Sequence, residues 1–164
     1  MDRTSLDPSV IRRGYERCAS TYVELAEKDA GNMRLRALEV ACEHLDCTLA
    51  PGALRALDLG CGGGVPVIPE LLRAGFEVTA VDSSAAMLRA AQRKTPSPKV
   101  RLVQADMMHL EGELAPLPAS LDLICAFFSL LSLSSAFSLL ISSLYSSYLG
   151  SCAFGILYCG SYFL

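Results

Sequence analysis

Apolar positions change their period partway along the chain. From Ser9 to Lys28, Ile11, Tyr15, Cys18, Tyr22 and Leu25 follow one another at spacings of three and four, which predicts an amphipathic helix. Leu35, Leu38, Cys42 and Leu45 repeat that stripe over Met33 to Leu45. Leu49-Ala50-Pro51-Gly52 then breaks it. Beyond the break, short apolar runs alternate with helical spacing. Strands are predicted at Ala56–Leu59, Val78–Val81, Val100–Gln104, Leu121–Phe127 and near Cys152–Tyr158. Helices are predicted at Val65–Ala74, Ser84–Arg93 and near Ala136–Leu149, with a proline-containing loop at Glu111–Pro118. Near-continuous apolar strands alternating with helices predict the α/β class: a doubly wound, mostly parallel sheet of about five strands, covered on both faces. The expected organisation is a helical segment over residues 1–50 and an α/β unit over residues 51–164, forming one compact domain.

Composition changes this picture in the last quarter of the chain. All 14 basic and 17 acidic residues lie at or before Asp122, so residues 123–164 carry no charge and are mostly hydrophobic residues and serine. A window such as Leu123 to Ser142 is long enough to span a bilayer. Its serines, and the fit of its first residues to a strand, weigh against a membrane reading. The net charge of −3 offers no basic surface of the kind nucleic acid requires, which leaves a small molecule as the expected partner. Seven scattered cysteines without a C-x-x-C pair indicate neither a disulfide framework nor a metal site, and a reducing cytoplasm is the expected compartment. The polar N-terminus lacks the apolar core of a secretory signal.

The densest chemical signal is Leu57-Asp58-Leu59-Gly60-Cys61-Gly62-Gly63-Gly64-Val65, an acid near a strand end followed by four glycines in five residues. Glycine there permits positive φ in a tight strand-to-helix turn and lets a ligand approach the main chain. Counting from Gly60 and Gly62 puts Val65 where a dinucleotide-binding turn wants its third glycine, and no Gly-Lys-Ser/Thr follows for a polyphosphate.

The pattern set by Asp58, Gly60, Gly62 and Gly64 resembles the first motif of class I S-adenosylmethionine-dependent methyltransferases. Further matches follow in order. Val81-Asp82-Ser83-Ser84 with Met87 resembles the second-strand acid that holds the ribose hydroxyls and the helix after it. Gln104-Ala105-Asp106-Met107 is similar to the loop that meets the adenine, and Asp122 through Ala126-Phe127-Phe128-Ser129 to the strand ending beside the methyl group. Ile11-Arg12-Arg13-Gly14-Tyr15 with Tyr22 is similar to an N-terminal lid helix of small-molecule members. The resemblance implies S-adenosylmethionine as cofactor. It implies contacts from Asp58, Gly60, Cys61, Gly62, Gly64, Asp82, Ser83, Met87, Asp106, Met107, Phe127, Tyr15 and Tyr22.

Each acid also has a plain structural reading: Asp82 as a helix cap, Asp106 as a turn residue, Asp58 as a support for the glycine turn. Tyr15 and Tyr22 also fit core packing. His44 and His109 lack a partner at metal or triad spacing, so neither is assigned as a general base. The expected function is methyl transfer to a small-molecule acceptor. The alternative is a module that holds the cofactor without turnover, membrane-associated or dependent on a partner. The family commonly adds two strands after the fifth, so a truncated product, or an enzyme completed by homo-oligomerisation through an apolar fifth-strand edge, is expected. Leu131-Ser132-Leu133-Ser134-Ser135 stands where the family commonly carries His and charged residues.

Overall fold

The computed structural model describes residues 8–28, 33–44, 54–107, 110, 121–127 and 156–159. Two helices, α1 (Pro8–Lys28) and α2 (Met33–His44), precede β1 (Arg55–Leu59). There follow α3 (Val67–Arg73), β2 (Glu77–Asp82), α4 (Ala85–Lys94), β3 (Val100–Gln104), β4 (Leu123–Phe127) and β5 (Ile156–Cys159). The predicted helix near Ala136–Leu149, the Glu111–Pro118 loop, the Leu131–Ser135 stretch, Phe128, Ser129 and His109 lie outside the described residues, as does the His44 side chain.

The five strands form one sheet in the order β3-β2-β1-β4-β5, with every described pairing parallel. β1 therefore lies between β2 and β4, and the chain winds outward from it in both directions. In such sheets ligands sit at the carboxyl ends of the strands flanking that reversal. Register brings those ends level: Leu59 lies opposite Val81, and Asp82 opposite Gln104.

Strand alternation assigns the core. One face, with Ala56, Val78, Ala80, Leu123, Cys125 and Phe127, packs on Leu38 of α2 and on Ile68 and Leu71 of α3. Leu57, Leu59, Val81, Val103, Ile124 and Ala126 form the other face, joined by Leu110 and Leu121. α1 and α4 meet through Ala19, Val23, Met87 and Ala90. Each large side chain so buried is worth about 1.5–3 kcal/mol. Thus α2 is a layer of the main core, whereas α1 packs on α4.

Departures at element ends have local causes. α3 begins at Val67 rather than Val65 because Gly64, Val65 and Pro66 complete the turn, and the Gly64 carbonyl then accepts the Ile68 N–H at 2.9 Å. β4 begins at Leu123 rather than Leu121: Asp122 instead turns its carboxylate to the Arg55 N–H at 2.7 Å and donates its own N–H to the Arg55 carbonyl. β4 is buried throughout and sits between β1 and β5, so the head of the charge-free window is sheet core. Among the described residues no helix is long and apolar enough to cross a membrane.

Gly64 shows why the turn needs glycine. Its φ is +78°, and a Cβ there would lie 2.9 Å from Ile68 Cδ1 and 3.2 Å from Ala91 Cβ. Gly64→Ala is expected to destabilise the chain by about 1–3 kcal/mol through combined strain and overpacking. Urea unfolding checks this, and an unchanged midpoint would contradict it.

Candidate functional site

The chain leaves β1 in a turn that only glycine can follow comfortably: Gly60, Gly62 and Gly64 have φ of +68°, +54° and +78°. The turn is tied sideways to the next strand, because the N–H groups of Gly60 and Cys61 both donate to the Val81 carbonyl, at 2.8 and 2.9 Å. At the end of β2, Asp82 completes the tie. Its Oδ2 accepts the Gly62 N–H at 2.8 Å and its Oδ1 the Ser84 N–H at 2.8 Å. The Asp82 backbone carbonyl accepts the Ala105 N–H at 3.2 Å, drawing in the loop after β3. Three strand ends thus converge around one half-buried carboxylate, which keeps further lone pairs on both oxygens. Burial raises the Asp82 pKa, as does Glu16 nearby, while the two N–H groups oppose the rise.

A second carboxylate lies beneath it. Asp58 is buried in β1, and its Oδ2 has no hydrogen-bond partner within the protein. Burial first, and the charge of Asp82 second, push its pKa up to about 7, with Arg34 opposing. An unpartnered buried carboxyl oxygen is costly and suits a site that a cationic or hydrogen-donating group completes. Burial and the same two acids hold the Cys61 thiol well above its usual pKa, so Cys61 is no activated nucleophile.

α1 lies directly over the turn. A Cβ on Gly62 would stand 3.7 Å from the Tyr22 ring, and one on Gly63 would collide with Val23. Tyr15 and Tyr22 meet edge to face, with ring centroids 5.5 Å apart and planes at 85°. Burial, then the neighbouring Tyr22 and the charge of Asp82, raise the Tyr15 pKa.

The structure therefore groups Asp58, Gly60, Cys61, Gly62, Gly64 and Asp82 at one end of the sheet, under Tyr15 and Tyr22 of α1. Ser83 continues from Asp82, and its carbonyl accepts a hydrogen bond from the Gln104 amide. Asp106 is exposed on the adjoining loop; Met107 is half-buried against the Leu57 face of the core. Two predicted residues face apolar packing. Met87 is buried under Ala19 and Val23, and Phe127 is buried in the core shared with α2 and α3. Two residues that pattern reading left off the site are Glu16 and Ser84: Glu16 Oε1 accepts from the Ser84 hydroxyl at 3.0 Å. Ser84 just ahead of a helix is a recognisable capping signal, whereas nothing local to Glu16 announces its partner. Among the described residues, no group of three or more His, Cys, Asp or Glu is placed to hold a metal ion.

A family profile described as a methyltransferase domain matches residues 56–146, from β1 onward. The chain belongs to the methyltransferase domain family. A protein provisionally named a methyltransferase from Geobacillus sp. (strain WCH70) is 44% identical over 63 residues, covering 37% of this chain and 25% of the relative. Solved structures with the same fold include the TehB-like S-adenosylmethionine-dependent methyltransferase of Corynebacterium glutamicum (TM-score 0.61, 17% identity, 86% of this chain and 70% of that one). Magnesium protoporphyrin IX methyltransferase of Synechocystis, with S-adenosylhomocysteine bound, matches at TM-score 0.61 and 21% identity over 85% of this chain and 67% of its own. An S-adenosylmethionine-dependent methyltransferase of Mesorhizobium loti is 26% identical at TM-score 0.51, covering 69% and 49%. The chain spans a quarter of the length of the Geobacillus relative and about half that of the Mesorhizobium structure.

The family's cofactor, S-adenosylmethionine, fits the residues present. Asp82 keeps lone pairs on both oxygens beside the half-buried main chain of residues 60–62, and the buried Oδ2 of Asp58 has no hydrogen-bond partner.

Proposed function

We propose that the chain binds S-adenosylmethionine at the glycine turn and transfers its methyl group to a small-molecule acceptor. The observation that carries the reading is the tie between Asp82 and the positive-φ glycine turn, which sets an acceptor-rich carboxylate beside the half-buried main chain of residues 60–62 at the sheet's reversal point. In this reading the half-buried main chain at Gly60 and Gly62 receives the amino-acid end of the cofactor, while Gly64 lets the turn close on Ile68 and Ala91. Asp82 accepts hydrogen bonds from the ribose hydroxyls through its remaining lone pairs. Asp106 meets the adenine amino group and Met107 lines the ring, while Tyr15 and Tyr22 wall the site from α1. We assign α1, within residues 1–50, as the covering element of the α/β unit at 51–164. The cofactor supplies a methyl group on a positively charged sulfur. In-line displacement asks the chain chiefly to fix the donor, to exclude water and to leave a collinear approach, so positioning is its main contribution.

The net charge of −3 supports a small-molecule acceptor over nucleic acid. Calorimetry with the purified chain is expected to show S-adenosylmethionine and S-adenosylhomocysteine binding and no NAD binding. Release of S-adenosylhomocysteine with a small-molecule acceptor then tests turnover. Preference for NAD would overturn the cofactor reading; cofactor binding with transfer only to nucleic acid would overturn the acceptor class.

A further inference from the structure

α1 is fastened across α4 at three places of different character. In the middle, Ala19 and Val23 pack on Met87 and Ala90. At one end the Lys94 ammonium meets Glu27 at 2.8 Å, an exposed pair of the kind worth little. At the other, Glu16 reaches the first turn of α4: its Oε1 accepts from the Ser84 hydroxyl at 3.0 Å and from the Ala86 N–H at 3.4 Å, and Arg89 lies 3.9 Å from Oε2. A carboxylate at the start of a helix meets unpaired N–H groups and the positive end of the dipole. These contacts lower the Glu16 pKa despite an opposing desolvation effect.

Ser84 makes this more than a surface contact. It is fully buried, and each of its hydrogen-bonding groups at the junction has a separate task. Its N–H donates to Asp82 Oδ1, its hydroxyl oxygen caps α4 by accepting the Met87 N–H at 3.3 Å, and its hydroxyl proton goes to Glu16. Asp82 in turn holds the Gly62 N–H. An unbroken chain of hydrogen bonds therefore runs from α1 through Ser84 and Asp82 to the glycine turn.

We infer that Glu16 is a positioning residue, a latch whose bond to Ser84 holds α1 down over the site and couples its docking to the carboxylate that receives the cofactor's ribose. The coupling half rests on the function proposed above. With the latch made, Tyr22 and Val23 stay on the turn and Ser84 keeps the orientation that fixes Asp82. With it lost, the described contacts of α1 reduce to its apolar seam, the packing of Tyr22 and Val23 on the turn and the exposed Lys94 pair, so departure of a bound ligand is easier while the sheet beneath is untouched.

Hydrogen exchange of the full chain without ligand, together with the dissociation rate of S-adenosylmethionine, tests this with Glu16→Ala and Glu16→Gln. In Glu16→Ala, amides of α1 are expected to exchange about tenfold faster and the cofactor to leave about tenfold faster, the scale of losing hydrogen bonds to a charged acceptor. Exchange in β1, β2 and β3 should stay unchanged. Glu16→Gln should recover most of both effects, since its amide oxygen still accepts from Ser84 and Ala86. Unchanged α1 exchange in Glu16→Ala would overturn the latch, and faster exchange with an unchanged dissociation rate would overturn the coupling. Because the exchange measurement needs no ligand, failure of the parent chain to bind S-adenosylmethionine would overturn the proposed function separately, with exchange still deciding the latch.

Discussion

Asp82→Ala is expected to weaken S-adenosylmethionine binding by about 1–3 kcal/mol, or roughly 5- to 150-fold, and to lower thermal stability at the same time. Two losses combine. The ribose loses a charged acceptor, and the N–H groups of Gly62 and Ser84, both held at 2.8 Å, lose theirs. The second loss bears on geometry, because the Gly62 N–H then no longer restrains the positive-φ turn. Asp82→Asn keeps one carbonyl oxygen but sets an amide NH2 against one of the two backbone donors, so an intermediate affinity is expected. Burial of the Asp82 carboxylate works the other way, since it disfavours the ionised form that both N–H groups favour. That opposing effect limits the expected stability loss but leaves the affinity loss intact, because the ligand contact needs the acceptor. Calorimetry gives the affinity, and circular dichroism melts establish that the variants fold. A folded Asp82→Ala chain binding within twofold of the parent would remove Asp82 from the site.

Much of the candidate site's grouping was legible because chemistry and chain order coincide there. Asp58 lies near the end of β1 and Gly60, Gly62 and Gly64 follow within one turn, so their spacing alone marks a tight, glycine-dependent strand-to-helix connection. Asp82 could be placed because a strand ending in an acid before Ser84 and a helix brings that acid to the same edge as the turn. The α/β class followed from the change of apolar period at Pro51-Gly52, and five strands fall within a few residues of their predicted places. Less legible were contacts between elements distant in sequence. Glu16 lies on a helix whose stripe predicts only that it is amphipathic; its reach to Ser84 depends on how α1 crosses α4. Met87 and Phe127 illustrate the converse. Motif position assigns them to the cofactor; what the structure shows is the apolar cluster each belongs to, Met87 with Val23 and Phe127 with the α2 and α3 layer. A period of two or 3.6 assigns a face, but which neighbour covers that face is settled by tertiary packing.

Asp58 should give the chain a pH dependence that its substitution removes. The carboxyl is buried with one oxygen unpartnered, and burial, aided by Asp82, raises its pKa from the usual 3.8 to about 7. Between those values the folded chain keeps a proton that the unfolded chain releases. Stability therefore falls as pH rises through that window and levels off above about 7. The gap corresponds to on the order of 4 kcal/mol between the two plateaus, an upper figure since relaxation of the site reduces it. Asp58→Asn carries no titrating group, so its stability difference from the parent, measured by urea unfolding from pH 4 to 8, should move steadily in favour of the variant and then flatten. A pH-independent difference would contradict the buried, protonated acid. Ligand binding adds the opposite linkage. If a cationic group of the cofactor approaches the orphan oxygen, it favours the ionised acid, so binding near pH 6.5 should release protons from the parent chain and fewer from Asp58→Asn. Calorimetry in buffers of different ionisation enthalpy counts those protons, and equal counts would mean that the cofactor's positive charge lies elsewhere. Asp82→Ala should shift the same titration downward by removing the neighbouring charge that Asp58 now faces.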